Sequence, residues 1–328
     1  MTGATILGGI ASPDLTAAER DFFRAADPWG FILFGRNIDT PDRLRRLTAS
    51  LREAVGRDAP VLIDQEGGRV QRMRAPHWTD WPAPLDQAAN GDRAIWLHHH
   101  LLAQELHDMG IDADCAPVLD IARADTHPFL KNRCLGSDAG TVTRLGRIAA
   151  EAMLAAGVLP IVKHMPGHGR ARVDSHKDLP VVDAPLAELM ATDFAPFRAL
   201  SDLPMAMTGH IRFTAIDDAP ATASGPVIDL IRRDLGFDGL LMSDDIGMQA
   251  LSGSMAERAA AIIGAGCDLV LSCNEDIAQM ETIVAASGAM SAKAVQRGEA
   301  ALALRRLPAL ADAGELRAEL AALGGLAA

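Results

Sequence analysis

Three histidines and an aspartate fall within one short segment, Lys163–His176, which reads KHMPGHGRARVDSH. The segment begins where an apolar stretch ends, and its proline and glycines predict a loop, a setting that suits mobility and proton transfer. Asp174 stands two residues before His176, close enough in a turned loop for its carboxylate to hold and polarise the imidazole. Such a pair would make His176 a general acid and base near neutral pH.

A metal site formed by His164, His168, Asp174 or His176 is the alternative for this segment. Zinc accepts such ligands, but an HxxxH pattern in a glycine-rich loop lacks the helical spacing that makes zinc motifs recognisable. Loop histidines without a special role are a further alternative.

Two more groups of polar residues follow apolar stretches. Ser243-Asp244-Asp245 comes after Gly239–Met242, and a carboxylate at the end of a buried strand is well placed to act as a nucleophile, which favours Asp244. Asp245 could instead cap the following helix.

The other group, Asp64–Arg72, reads DQEGGRVQR after Val61–Ile63. Its glycines permit a sharp turn, and its carboxylates and arginines could bind hydroxyls, amides or an anion. A structural salt-bridge cluster is the alternative. The segment is not a phosphate loop, because it has neither GxGxxG nor a GK[ST] ending.

Short apolar stretches that alternate with helical patterns must position these groups. Eight such stretches predict strands buried on both faces: Thr5–Leu7, Phe31–Phe34, Val61–Ile63, Ala113–Leu119, Leu159–Val162, Met205–Thr208, Gly239–Met242 and Leu269–Leu271. Between them, helices are predicted at Arg43–Val55, Arg93–Met109, Thr141–Ala156, Pro185–Leu200, Val227–Leu235 and Met255–Gly264. Thr16 with Glu19 has the pattern of a capping box, and Pro41-Asp42 opens the second helix.

This alternation predicts a single α/β domain, a (β/α)₈ TIM-type barrel over 1–328 with an Ala/Leu-rich helical tail from about 292 to 328. Five groups of polar residues then follow strand ends, on the face where barrel enzymes build their active sites: Asp64-Gln65-Glu66, Asp120, Lys163-His164, Gly209-His210 and Ser243-Asp244-Asp245. A doubly wound open sheet is the alternative. Ala75–Pro84 is predicted to be a loop on the barrel rim, and His98-His99-His100 to be solvated or helix-flanking rather than metal-binding.

The composition disfavours several classes of binding partner. The 328 residues carry a net charge of −12, and no Lys/Arg-rich stretch stands out, which makes nucleic acid an unfavourable partner. Aromatic residues are 4%, with no tyrosine, which disfavours a long polymer groove. No apolar stretch reaches the ~18 residues of a membrane helix, the N-terminus lacks a basic leader, and the four cysteines form no CxxC pair. We therefore expect a cytoplasmic enzyme with reduced thiols and no membrane partner.

Taken together, these motifs resemble glycoside hydrolase family 3, and within it the compact bacterial β-N-acetylhexosaminidases of peptidoglycan recycling. The resemblance rests on DQEGGRVQR, KHMPGHG, DSH and SDD in this order, and extends to GFILFGRN at 30–37, APVLD at 116–120 and NRCLG at 132–136. It covers most of the chain up to about residue 275.

The resemblance implies a retaining double displacement on a β-linked N-acetylglucosamine. It makes Asp244 the nucleophile, His176 the acid and base, and Asp174 the residue that orients His176. It also implies that the sugar is bound by Asp64, Arg72, Arg133, Lys163 and His164. Glu66, the carboxylate rival for the acid role, reads as part of the structural turn. Larger relatives take their acid from a second domain, so in a chain of this length we expect the barrel's own loops to supply it.

The sequence departs from the family at the histidine loop, whose common form is KHFPGHGDT. Here Met165 replaces the aromatic residue and Arg170-Ala171 replaces Asp-Thr, while the spacing to Asp174 is unchanged. Arg170 and Arg172 could help to attract an anionic muramyl or peptide carboxylate, or could be solvated.

The expected function is an exo-acting β-N-acetylglucosaminidase that releases N-acetylglucosamine from anhydromuropeptides, in a small pocket and without a metal or organic cofactor. A β-glucosidase, β-xylosidase or glycosyl phosphorylase of the same family, a metal-dependent hydrolase and a catalytically inactive sugar sensor are the alternatives.

Overall fold

Parallel strands arranged as a closed ring place Asp64, Lys163, His164 and Asp244 at one end. The computed structural model describes residues 1–175, 177–307 and 312–326, so His176 lies outside the described residues. Its strands are β1 (Gly3–Leu7), β2 (Pro28–Leu33), β3 (Val61–Ile63), β4 (Ala113–Asp114), β5 (Leu159–Met165), β6 (Val181–Val182), β7 (Met205–Thr208), β8 (Arg212–Phe213), β9 (Leu240–Asp245) and β10 (Leu269–Ser272). The ring runs β1-β2-β3-β4-β5-β7-β9-β10 and closes on β1, while β6 and β8 pair beside it. The predicted eight-stranded (β/α)₈ barrel is confirmed.

Helices surround the barrel. They are α1 (Ala17–Ala26), α2 (Pro41–Val55), α3 (Pro84–Ala88), α4 (Asp92–Asp108), α5 (Pro128–Lys131), α6 (Ala139–Ala155), α7 (Leu186–Ala191), α8 (Ala195–Ala199), α9 (Gly225–Arg233), α10 (Met255–Ala265), α11 (Ile277–Ser287), α12 (Ala292–Leu302) and α13 (Ala313–Ala322), with single 3₁₀ turns at Gly35–Asn37 and Ala221–Ala223. None of these helices has the length and apolar content that crossing a membrane requires.

Each barrel strand buries alternate side chains on opposite sides. In β9, Leu240 and Met242 belong to the cluster inside the barrel, whereas Leu241 belongs to the cluster beneath the helices. In β2, Ile32 points inward while Phe31 packs outward. Because both sides are apolar, the strands read as continuous hydrophobic stretches rather than as alternating ones.

Several boundaries differ from prediction for local reasons. The predicted strand Ala113–Leu119 is regular only over β4, since Pro117 has no N–H for the ladder. The predicted helix Pro185–Leu200 is divided into α7 and α8. The capping box of α1 is present: Glu19 N–H donates to Thr16 Oγ1 at 3.2 Å and Thr16 N–H donates to Glu19 Oε2 at 2.7 Å. α11 was not predicted.

The histidine triplet is buried, so the prediction that it is solvated or helix-flanking was wrong. His98, His99 and His100 are at most 3% exposed, because α4 is covered by α3, α6 and α13. His99 Nδ1 lies 2.9 Å from the carbonyl of Ile95, and His100 stacks on Trp96 at 4.5 Å. Burial lowers the pKa of all three, that of His99 to about 4. They are therefore neutral helix-packing residues.

The C-terminal helices pack on the barrel. Gly298 of α12 lies against Trp29, which belongs to the cluster inside the barrel, and Arg297 pairs with Asp268 at 2.9 Å. α13 lies on α4, where Arg317 pairs with Glu105 at 2.7 Å. The predicted loop Ala75–Pro84 lies outside regular helix and strand up to Ala83, and α3 begins at Pro84.

Candidate active site

One cavity of about 290 Å³ opens at the carboxyl ends of the barrel strands. All five predicted sugar-binding residues and the predicted nucleophile line it: Asp64, Arg72, Arg133, Lys163, His164 and Asp244. Asp174 is half-buried in the loop after β5, and its neighbour Ser175, 3% exposed, lines the same cavity. The structure thus brings together residues up to about 180 positions apart in the chain.

Lys163 is the centre of a buried charge network. Its Nζ lies 2.9 Å from Asp64 Oδ1 and 2.6 Å from Glu66 Oε1, and the residue is 2% exposed. Burial alone would lower the pKa of Lys163, but the two carboxylates raise it above its usual value, so the ammonium stays charged. Asp64 also pairs with Arg72 at 3.0 Å, which fixes one carboxylate between two cations.

Glu66 is held as an anion. Arg133 donates to both of its oxygens at 2.7 Å, a bidentate pair in which both side chains are buried. Burial raises the pKa of Glu66, but Arg133 and Lys163 lower it more strongly, to about 2. A group with this pKa has no proton to donate at neutral pH, which is consistent with the structural role expected for Glu66.

The turn that carries these carboxylates depends on its two glycines. Glu66 and Gly67 both donate their N–H to the carbonyl of Val70, at 2.9 and 3.2 Å. Gly67 has φ +97° and Gly68 has φ +57°, and a Cβ at Gly67 would lie 2.4 Å from the carbonyl oxygen of Pro82. The turn therefore aims Asp64 and Glu66 at Lys163 only because residue 67 has no side chain.

Asp120 positions two histidines and was not among the predicted site residues. Its Oδ2 lies 2.7 Å from His164 Nδ1, and its Oδ1 accepts the backbone N–H of His168 at 2.6 Å. Burial raises the pKa of Asp120, but His164 and His168 lower it more, so the carboxylate is charged. Its position directly after a predicted strand indicated that it lies near the active-site face, but nothing in the sequence paired it with His164.

His168 lines the cavity in its neutral form. Burial lowers its pKa, and the neighbouring His164 lowers it further, to about 4. The ring of His164 lies 5.5 Å from that of His168. His164 and His168 are thus both buried in the wall of the cavity.

The two aspartates at the end of β9 have different environments. Asp244 lines the cavity, and its Oδ1 accepts the N–H of Asp245 at 2.8 Å. Asp245 Oδ1 accepts the N–H groups of Gly247 and Cys273, at 3.1 and 3.2 Å. Burial, together with Glu275, raises the pKa of Asp245 to about 7. Asp245 does not cap the next helix, because Ser254 caps α10.

The arginines of the loop after β5 are paired with carboxylates of the protein. Arg170 Nε lies 2.7 Å from Asp193, and Arg172 lies 2.7 Å from Asp125. Their charges are thus already matched within the chain, which weakens the expectation that they attract an anionic aglycone. Among residues 1–175, 177–307 and 312–326, no three His, Cys, Asp or Glu side chains are grouped as metal ligands.

Comparisons with known proteins show what this chain is similar to. The model of the glycosyl hydrolase family 3 N terminal domain matches residues 18–304. A beta-hexosaminidase of Alkalilimnicola ehrlichii is 39% identical over 281 residues, which are 82% of this chain and 80% of that protein.

Solved structures are similar over nearly the whole chain. NagZ from Neisseria gonorrhoeae, in complex with N-trifluoroacetyl-D-glucosamine, is 29% identical with a TM-score of 0.86 and covers 98% of both chains. A family 3 beta-N-acetylglucosaminidase from a Paenibacillus species is also 29% identical, with a TM-score of 0.89 over 98% of this chain and 67% of that one.

Proposed function

This chain belongs to glycoside hydrolase family 3, and from that premise we propose that it is a retaining, exo-acting β-N-acetylglucosaminidase. The observation that carries the proposal is the cavity itself, in which Asp244 faces a set of fixed carboxylates and cations. Carboxylates accept hydrogen bonds from sugar hydroxyls, and arginine and lysine donate to them. A cavity of about 290 Å³ suits one terminal sugar rather than a polymer.

In the proposed reaction, Asp244 attacks the anomeric carbon and forms a covalent glycosyl-enzyme as the bond to the leaving oxygen breaks. The leaving oxygen takes a proton from His176. In the second step His176, now the base, removes a proton from water, whose oxygen attacks the anomeric carbon and releases Asp244. Asp174 orients His176 and stabilises its charged form.

The state of the other loop histidines supports the choice of His176. His168 has a pKa of about 4, so it is not suited to store and return a proton near neutral pH, and the Nδ1 of His164 is held by Asp120 in the wall of the cavity. Glu66, at a pKa of about 2, is unsuited to the acid role for the opposite reason, since it is already ionised.

The sugar contacts belong to the same proposal. Asp64, Arg72, Arg133, Lys163 and His164 would bind the ring hydroxyls and the acetamido group. Because each of them is already fixed by an ion pair or hydrogen bond, little ordering remains to be done when the sugar binds. The N-acylated glucosamine bound by the Neisseria protein supports an acetamido sugar for this chain.

We assign the natural substrate to the N-acetylglucosamine-containing anhydromuropeptides of peptidoglycan recycling in the cytoplasm, with no metal or organic cofactor. Comparing turnover of such a muropeptide with that of an aryl β-N-acetylglucosaminide and an aryl β-glucoside tests this assignment. A faster aryl glucoside would contradict it in favour of a glucosidase. A sugar 1-phosphate formed on addition of phosphate would indicate phosphorolysis, and loss of activity with a chelator would indicate a metal.

The nucleophile is tested by Asp244→Ala. Hydrolysis of an aryl β-N-acetylglucosaminide should fall below detection, because no covalent intermediate can form. Added azide should restore turnover and give a glycosyl azide of inverted configuration, since azide enters from the face that Asp244 occupied. Asp229→Ala, which removes an exposed aspartate from α9, is the matched control and should leave the rate unchanged. Full activity of Asp244→Ala would remove Asp244 from the mechanism.

A further inference from the structure

We propose that Arg170 is the positioning residue that fixes the base of the loop carrying Asp174. Its anchor is the partly buried ion pair with Asp193, at the corner between α7 and α8. The inference rests on the proposed function, because it assumes that Asp174 serves acid catalysis. It starts from the position at which the loop sequence departs from the family's usual Asp-Thr.

Asp193, the residue that Arg170 reaches, is almost fully buried. It is 2% exposed and lies between α7 and α8. Its Oδ2 accepts hydrogen bonds from Arg170 Nε at 2.7 Å, from Arg123 at 3.0 Å and from Thr192 Oγ1 at 2.7 Å. Arg170 also reaches Glu188 of α7 at 2.5 Å. The arginine thus joins the loop to two carboxylates beneath it.

The backbone around Arg170 is fixed by the same neighbours. A Cβ at Gly167 would lie 2.8 Å from the carbonyl oxygen of Asp193, so the loop and this corner are in close contact. Thr126 Oγ1 donates to the carbonyl of Gly169 at 2.6 Å, and His127 N–H donates to that of Ala171 at 3.1 Å. Residues 167–171 therefore form the fixed base of the loop.

Arg170 and Ala171, which replace the family's Asp-Thr, both fit their contacts with the α7 and α8 segment. Ala171 is fully buried in the cluster that contains Leu189 and Phe194, and its small side chain lets the loop lie against the α7 and α8 segment. An aspartate in place of Arg170 would face Asp193 and Glu188 with a third negative charge, which is unfavourable in a partly buried site. The anchor and the departure from the family pattern are thus one feature.

The next ion pair along the loop is exposed to solvent. Arg172 and Asp125 form an ion pair at 2.7 Å, but their side chains are 78% and 54% exposed, and exposed pairs contribute little. Arg170 is 19% exposed and its partner Asp193 2%. Of these two ion pairs, that of Arg170 is the better shielded, and it holds the loop where the chain leaves the barrel toward Asp174, three residues after Ala171.

This position matters because acid catalysis depends on the placement of the proton donor to within a fraction of an ångström, and a misplacement of about 1 Å can cost a hundredfold in rate. Loss of the anchor should consequently affect substrates that need a proton on the leaving group, and should spare those that do not. Loss of folding stability alone would affect both classes equally.

The experiment measures kcat/KM of Arg170→Met on two aryl β-N-acetylglucosaminides, one with a phenol and one with a dinitrophenol leaving group. We expect a fall of about tenfold or more on the phenyl substrate and of less than about threefold on the dinitrophenyl one, since the latter leaves without protonation. Arg170→Lys, which keeps one ion pair, should recover part of the loss. Arg123 still pairs with Asp193 in both variants, so both should fold, as thermal unfolding would verify.

Arg172→Met is the matched control, because it removes an arginine of the same loop whose ion pair is exposed, and it should change neither rate. Equal losses of Arg170→Met on the two substrates, or no loss on either, would overturn the anchor. Asp174→Asn separates this outcome from a failure of the proposed function. If kcat/KM of Asp174→Asn falls only on the phenyl substrate while Arg170→Met shows no such selective fall, the anchor is wrong and the acid/base assignment stands.

Discussion

Two carboxylates and three cations share the floor of the site, and at the scale of single residues their pairing explains why charge can be buried there. Glu66 and Asp64 are each contacted by two cationic groups at 3.0 Å or less. Removing a carboxylate from this network leaves buried cations without their partner, which costs far more than an ion pair itself contributes. The network therefore holds its members in position for hydrogen bonds to a sugar.

Glu66 and Asp174 should respond differently to neutralisation. Glu66→Gln loosens Arg133 and Lys163, so we expect kcat/KM to fall by about tenfold on phenyl and dinitrophenyl substrates alike, because it acts through sugar binding. Asp174→Asn should lower the phenyl rate by about a hundredfold and the dinitrophenyl rate little. Steady-state kinetics on both substrates checks the contrast. A selective loss in Glu66→Gln would make Glu66 the acid after all.

The residue types of the site could be predicted from motifs, but some partners could not. The motifs indicated Asp64, Lys163 and Asp244, and the cavity contains all three. Asp120 was noted only as a strand-end residue. Its contact with His164 could not be predicted, because it spans 44 residues of chain and local spacing carries no information about such a pair.

At the scale of elements, strand ends and helix packing place these residues. The β5–β7 ladder shifts register between Val162 and Met165, and Lys163 and His164 lie in that irregular stretch. Apolar stretches predicted the strands, since a strand buried on both faces has little freedom in composition. The sequence does not show the packing partners on which three features depend: the register shift in β5, the division of α7 from α8 and the presence of α11.

α12 offers a test of element packing. At Gly298 a Cβ would lie 2.9 Å from Trp29 Nε1, whereas at Gly264 of α10 it would meet nothing within 4 Å. Gly298→Ala gains ~0.5–1 kcal/mol of helix propensity but costs ~1–3 kcal/mol of overpacking, so we expect a net loss of about 1 kcal/mol in unfolding free energy. Gly264→Ala should gain ~0.5–1 kcal/mol. Urea denaturation measures both, and equal shifts would show that α12 does not press on Trp29.

At the scale of the whole molecule, a carboxyl group buried in the barrel wall sets a pH dependence of stability. Asp114 is 1% exposed, its Oδ1 accepts the N–H of Gln65 at 2.8 Å, and its Oδ2 has no hydrogen-bond partner among the described residues. Burial raises its pKa from 3.8 to about 8, and the nearby carboxylates Asp64 and Glu66 add to this. The folded protein therefore keeps a proton that the unfolded chain releases.

The difference in the pKa of Asp114 between the folded and unfolded states makes stability fall as pH rises. Between these two pKa values the unfolded state binds fewer protons, so this site lowers stability as pH rises, by at most about 1.4 kcal/mol per pH unit, and the loss levels off above the folded pKa. Asp114→Asn keeps an acceptor for Gln65 and removes the titration. Its unfolding free energy relative to the unaltered protein should thus increase from about pH 5 to about pH 8. Urea denaturation at each pH measures both proteins. If their unfolding free energies change with pH in parallel, the prediction is contradicted.

The sequence by itself determined the barrel class, the order of its strands along the chain and the residue types at their ends, because burial on both faces and turn chemistry are local demands on composition. Only the tertiary structure decided which charges are matched. It paired Glu66 with Arg133, His164 with Asp120 and Arg170 with Asp193, and it buried a histidine triplet expected to be solvated or helix-flanking. The reason is physical: pairing and burial depend on distances across the closed barrel, and these are set by all eight strands together.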